Sequence, residues 1–259
     1  MAEPWHPNVT ARPRVLAKLK AAERSLQRAI SAYFAHQRAW VKQVWPAMLP
    51  ADQVPPDAIT DLGRQLEEHS QALAQVMAKG RKAALLLGGE TAKRELAAKR
   101  ASEFADPELG VDWSLDSPEA QEFIDQYGLD LARGLNRTTV TNVRGALVGG
   151  LKEGLARDDL ATLVSDAAGG MPEWRAGLIA QTETIRAYTQ GSLQVYDRAG
   201  VEAKQWLDGQ AGACDECEAL DGEVVPLGET FSSGDDGPPL HPGCRCTVAA
   251  AEAGEGGVK

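Results

Sequence analysis

Aromatic residues are scarce in this 259-residue sequence: Trp, Tyr and Phe together make up 5%. That shortage, alongside abundant alanine, points to helix packed on helix rather than to a large sheet. Long apolar runs are missing too. No stretch approaches the ~18 consecutive apolar residues of a membrane helix. Residues 1–7 lack a basic region followed by an apolar core, so no secretory leader is expected and the chain reads as made in a cytoplasm. There is no Gly-x-x-x-x-Gly-Lys loop, so ATP-driven work is not indicated, and no His-Glu-x-x-His. Positive charge is in deficit: the net charge of −10 excludes nucleic-acid wrapping by the whole chain. The length allows one large domain or two smaller ones.

The charge that is present is unevenly placed. Residues 1–105 hold 16 Lys/Arg against 10 Asp/Glu, and residues 106–259 hold 11 against 27. Two readings stand: the halves meet different surroundings, or the first half simply carries a solvated basic helix face.

Helical periodicity begins after a Pro-rich arm over residues 1–14. Val15, Leu19, Ala22, Leu26, Ile30, Tyr33 and Phe34 share one stripe, and Pro46 is expected to end or kink this helix. After a turn-rich connector at 50–56, Asp57 can cap a second helix carrying Ile59, Leu62, Leu66, Leu73, Val76 and Met77. Gly80 and Gly88-Gly89 are expected to interrupt it before a third, basic stretch over 91–105. A loop over 106–116 leads to a helix start at Ser117-Pro118-Glu119. The helix that follows carries Phe123, Ile124, Tyr127, Leu131, Leu135, Val140, Val143 and Leu147. Asp158 or Asp159 can cap a short helix closed by Gly169-Gly170, and Pro172 opens another that Gly200 stops.

The texture then changes. Residues 201–207, 223–227 and 245–249 read as short strands, the second entered through an Asp221-Gly222 turn. The expected architecture is mainly α: a basic helical hairpin or bundle (1–105), a helical domain (106–200), a small β-containing Cys/His module (201–249) and a disordered tail (250–259). Trp174 and Trp206 are expected to be core anchors.

All four cysteines lie within 33 residues, as Cys214-x2-Cys217 and then His241-x2-Cys244-x-Cys246. Two close pairs separated by a loop form the spacing of a structural zinc site. The surrounding Gly, Pro, Asp and Ser cannot build a core alone, and a tetrahedral ion with thiolate ligands can supply the missing free energy. Five candidates compete for four positions: both cysteine pairs bind, or His241 replaces one thiolate. Disulfides, free packed thiols and a redox Cys-x-x-Cys are the alternatives. A zinc deaminase requires His-x-Glu before its Cys-x-x-Cys; here the order is reversed and the glutamate is absent. Gln181-Thr182-Glu183-Thr184 with Arg186 reads as a buried polar brace between helices or, less readily, as a general acid.

From about Thr138 to Val248 the sequence resembles the phage Mu protein F-like family of head morphogenesis proteins. The markers are Ile179-Ala180-Gln181-Thr182-Glu183-Thr184, Gly191, Ala199-Gly200-Val201, Trp206-Leu207, Cys214-Asp215-Glu216-Cys217 and Leu220-Asp221-Gly222-Glu223. Pro226-Leu227, Phe231, Pro238-Pro239 and His241-Pro242-Gly243-Cys244-Arg245-Cys246-Thr247-Val248 follow, the last being the most specific. Two positions depart from the family pattern: Arg157 replaces a small polar residue, and Gln181 stands where an Arg often precedes the Thr-Glu pair.

The resemblance implies a non-enzymatic minor head protein, present in few copies in the virion and assembled in the host cytoplasm. It implies partners at the portal or the inner capsid surface. The short stretch after Cys246 is expected to hold no fused toxin or transferase domain. Contact with packaged DNA through residues 1–105, at Arg81-Lys82, Lys93-Arg94 and Lys99-Arg100, is a second expectation. A zinc-dependent hydrolase or nuclease is the competing class.

Overall fold

The computed structural model describes residues 13–48, 58–103, 111–209 and 213–252. The N-terminal arm up to residue 12, the 50–56 connector, the Asp57 cap and the tail from residue 253 lie outside the described residues.

The protein is mainly α. Its helices are α1 (Pro13–Met48), α2 (Ala58–Glu68), α3 (Ser70–Glu103), α4 (Pro118–Glu122), α5 (Gly128–Lys152), α6 (Arg157–Gly169), α7 (Glu173–Arg198) and α8 (Asp215–Leu220). A π-turn at Phe123–Tyr127 joins α4 to α5. The strands β1 (Ala203–Leu207), β2 (Val224–Pro226) and β3 (Thr247–Ala251) form one antiparallel sheet in the order β2-β1-β3. Among the described residues, no helix is long and apolar enough to cross a membrane.

The stripe expected on α1 is the buried one: Leu19, Ala22, Leu26, Ile30 and Phe34 face inward. Pro46 does not stop α1, which runs on to Met48. On α2 and α3, Leu62, Leu66, Leu73 and Met77 are buried, while Val76 is exposed. The glycines expected to break the second helix do not: α3 is continuous from Ser70 to Glu103. They serve close packing instead, since a Cβ on Gly88 would lie 1.9 Å from the Tyr188 carbonyl oxygen and one on Gly89 2.2 Å from the Trp113 ring.

The chain divides into two compact units, each drawn from separate stretches of sequence. One comprises Gln27–Lys79 and Phe123–Ala176. Its core gathers Val41, Trp45, Leu62, Leu66, Val143, Leu147, Leu160 and Val164. The side of α5 that is buried is Gly128, Ala132, Asn136, Thr139, Val143, Leu147 and Gly150. The leucines expected there, Leu131 and Leu135, are only half-buried. The π-turn adds residues to one turn and so rotates the face that follows it, which a uniform 3.6-residue period cannot anticipate. The side chains of Asp158 and Asp159 make no cap bond: α6 starts after Ala156, with both acids in its first turn.

Asn136 is the polar centre of this unit. Its amide nitrogen donates to the Leu66 carbonyl and to Ser70 Oγ, each at 2.9 Å, and its oxygen accepts from Gln37 Nε2 at 3.2 Å. The Leu66 carbonyl lies at the end of α2, where the helical ladder leaves acceptors without intrahelical partners. Asn136→Ala leaves three buried polar groups without this partner, and a loss of about 2–3 kcal/mol is expected. Urea unfolding at unchanged m reads it; an unmoved midpoint contradicts this role.

The other unit comprises Met1–Leu26, Gly80–Glu122 and Gly177–Lys259, within the described residues. Helix α7 is its axis: from Glu183 to Val195 most side chains are buried, and Leu19, Ile185 and Tyr188 pack together. Trp113 donates to Gln194 Oε1 at 3.0 Å, and Tyr196 donates to Glu95 at 3.0 Å. Burial pushes the Tyr196 phenol well above its ordinary range. The three strands fall where the sequence places them, with β3 continuing to Ala251. Trp206 is buried, as expected of an anchor, and meets Phe231 edge-on at 5.1 Å; Lys204 Nζ lies 5.4 Å from the same ring. Trp174 is no anchor: it is 70% exposed.

Candidate metal centre

Two short pieces of backbone carry the five candidate ligands. Cys214 is the residue before α8, in an extended conformation, and Cys217 lies one turn into the helix. The Glu218 amide donates to the Cys214 carbonyl, so the x2 spacing aims both sulfurs from the start of the same helix. The second piece is a tight corner: the Cys244 amide donates to the His241 carbonyl at 3.1 Å, and Gly243 sits at φ +83°. That φ is costly for any residue with a Cβ, which accounts for glycine there. Cys246 then leads into β3.

These pieces converge. Cys214 Sγ lies 3.2 Å and Cys217 Sγ 3.3 Å from His241 Nε2, and Cys217 Sγ lies 3.8 Å from Cys244 Sγ. Two groups of potential ligands result, Cys214–Cys217–His241 and Cys217–Cys244–Cys246, with Cys217 common to both. A tetrahedral zinc with Zn–S of about 2.3 Å and Zn–N of about 2.0 Å sets its ligands roughly 3.5–3.8 Å apart. The observed spacings fall near those values, so the cluster can hold a metal ion. All four cysteines are free thiols.

The electrostatics agree with a cation site. The Cys246 thiol, donating to Cys244, is the main reason the Cys244 pKa falls to about 5. The same bond is the main cause raising Cys246. Burial pushes the Cys217 thiol up to about 12, and the Cys217 backbone amide lowers Cys214. The cluster thus favours ionisation at Cys214 and Cys244 while holding protons on Cys217 and Cys246. A divalent cation removes that conflict by letting several sulfurs ionise together. His241 is already oriented: its Nδ1 lies 3.0 Å from the Pro242 carbonyl, the main cause raising its pKa. With Nδ1–H donating there, Nε2 presents its lone pair to the cysteines.

Surrounding residues complete the site. The Arg245 guanidinium pairs two-pronged with Glu23 of α1, at 2.7 and 3.3 Å. The Gly243 amide donates to Thr182 Oγ1 at 3.0 Å, and Gln181 donates to the Gly243 carbonyl. Sequence reading grouped Gln181 and Thr182 with a brace between helices and missed this contact, because nothing local links residue 182 to residue 243. Glu183 is buried and pairs with Arg186 at 3.7 Å. The basic residues named for DNA contact differ in exposure: Arg94 is exposed, and Lys82, Lys93 and Lys99 are half-buried. Arg81 is fully buried, Lys93 donates to the Trp113 carbonyl, and Lys99 donates to the Ala250 carbonyl.

A mainly helical chain with a small three-stranded sheet and a Cys/His cluster near its C-terminal end is the class that fold and site define. Residues 141–249 match the family described as phage Mu protein F like protein, and this stretch is a domain of that family. Such a domain suggests phage head morphogenesis and belongs to a structural rather than a catalytic family. No curated protein and no solved structure matches the chain.

Proposed function

We propose that this chain is a minor component of a phage head, built in during head morphogenesis at the portal or the inner shell, with a structural zinc ion in its C-terminal module. The observation that carries the reading is the coincidence of two findings. The Mu F-like match covers residues 141–249, and within it the five Cys/His side chains form two groups of potential ligands that share Cys217. Zinc would be held by four of Cys214, Cys217, His241, Cys244 and Cys246. When bound it cross-links the start of α8 to the His241–Cys246 corner.

Expression with the capsid and portal genes of the same genome tests the head assignment. Purified particles are expected to retain the full chain at a few copies each, and particles that exclude it overturn the reading. Deleting residues 1–105 is unsuitable here, because α3 from Gly80 packs in the same unit as the Cys/His module. Cobalt substitution tests the structural role of the metal. A closed four-ligand spectrum supports it, whereas an exchangeable water on the metal favours a hydrolase or nuclease.

One observation favours a second role, contact with packaged DNA. On α1, Arg14, Lys18, Lys20 and Arg24 are all exposed, while the acid among them, Glu23, is turned to Arg245. Neutralising about four phosphates predicts that DNA affinity falls roughly a hundredfold between 50 and 200 mM salt. A full-chain titration with flat salt dependence removes the DNA role.

A further inference from the structure

The ligand corner His241–Cys246 is held from outside, and the holding groups are far away in sequence. Gly243, between His241 and Cys244, has both backbone polar groups taken by α7: its amide by Thr182 Oγ1 and its carbonyl by Gln181. The Thr182 hydroxyl is fully assigned. It donates to the Leu178 carbonyl at 2.8 Å, so its oxygen is left to accept from Gly243. The corner lies close against the helix, since a Cβ on Gly243 would come within 3.1 Å of Leu178 Cδ1. Two residues further on, Arg245 stands between ligand candidates Cys244 and Cys246. Its two-pronged pair with Glu23 fixes that end on α1.

We infer that Thr182, Gln181 and Glu23 are positioning residues of the metal centre, presetting the corner so that His241 and Cys244 meet Cys214 and Cys217 without reorganisation. The inference rests on the zinc reading above and deepens it. A ligand loop without these contacts must be ordered by the metal itself, which lowers affinity. Groups outside the ligand sphere typically contribute about 10–100-fold in metal affinity. Linkage makes the effect reciprocal: whatever factor the Glu23–Arg245 pair adds to metal affinity, the metal adds to formation of that pair.

The test is chelator competition for zinc on the full chain. Thr182→Val, which keeps shape but removes the acceptor for the Gly243 amide, is expected to weaken zinc binding about 10–100-fold. Thr182→Ser should restore wild-type affinity. Glu23→Gln should weaken binding in the same direction, and stripping zinc from the wild type should speed amide exchange around Glu23. Unchanged affinity in both Thr182→Val and Glu23→Gln overturns the inference while leaving the zinc reading intact. Equal thermal destabilisation of stripped and loaded Thr182→Val also overturns it, since that marks a purely structural residue. If Thr182→Val does not fold, Gln181→Met and Glu23→Gln carry the same comparison. A wild-type chain that takes up no zinc overturns the zinc reading and this inference together.

Discussion

With zinc bound as proposed, replacing Cys217 with serine is expected to cost the Cys/His cluster its ion and to disorder the segment around it. Cys217 is the one side chain common to both ligand groups, and it is almost fully buried. Its place in both groups makes Cys217 the candidate ligand whose loss touches most of the site. A serine hydroxyl at that depth is a poor ligand for zinc and an unpaired polar group besides. Structural zinc sites carry about 10–16 kcal/mol of apparent binding free energy, so one ligand in four is worth about 2.5–4 kcal/mol, roughly 60- to 700-fold in affinity. Cys214→Ser and Cys246→Ser each touch only one of the two groups, and at least one of them is expected to be much milder. Metal content per chain, with thiol titration before and after chelation, measures all three. A Cys217→Ser protein that keeps one equivalent of zinc at wild-type affinity contradicts this account of the site.

The second large effect lies where two helices meet backbone to backbone. A Cβ on Gly88 of α3 would sit 1.9 Å from the Tyr188 carbonyl oxygen, and one on Gly191 of α7 would sit 2.1 Å from the Leu85 carbonyl oxygen. Both obstacles are main-chain atoms in regular helices, so neither can rotate away. Gly88→Ala and Gly191→Ala must push α3 and α7 apart, and each is expected to lose about 3 kcal/mol or more. The Ser192 hydroxyl, between the carbonyls of Gly88 and Tyr188, would lose its geometry at the same time. Gly134→Ala and Gly145→Ala on α5 provide the contrast. Nothing lies within 4 Å of either added methyl, so both should be neutral or stabilise by up to about 1 kcal/mol. Thermal unfolding of the four variants separates the cases. A Gly88→Ala protein as stable as its parent would mean that α3 and α7 are not in contact there.

These glycines show where sequence reading has its limit. Gly88-Gly89 in a helical pattern reads as a break, because glycine lowers helix propensity and its use in packing depends on what lies opposite. Gly191 was visible as a family marker, but its reason, the Leu85 carbonyl of another helix, was not. Trp174 misled in the opposite way: a large aromatic is usually a core anchor, yet a position at the start of α7 leaves it facing solvent. Charge alone does not say which way a side chain turns: on α3 Arg81 is buried and Arg94 is exposed. Helix α8, only six residues long, was hidden in a segment read as loop.

Local chemistry was legible in the sequence itself. It determined the helical character, since an apolar stripe at three- and four-residue steps needs only the helix's own geometry to become a face. It also determined the five candidate ligands, since thiols at x2 and x1 spacing are brought together by one helical turn or one tight corner. The tertiary structure alone decided which distant segments share a core, and that α7 and α1 hold the ligand corner through Thr182, Gln181 and Glu23. Those contacts join residues 61 and 222 positions apart, and the periodicity of a single segment carries no record of what packs against it.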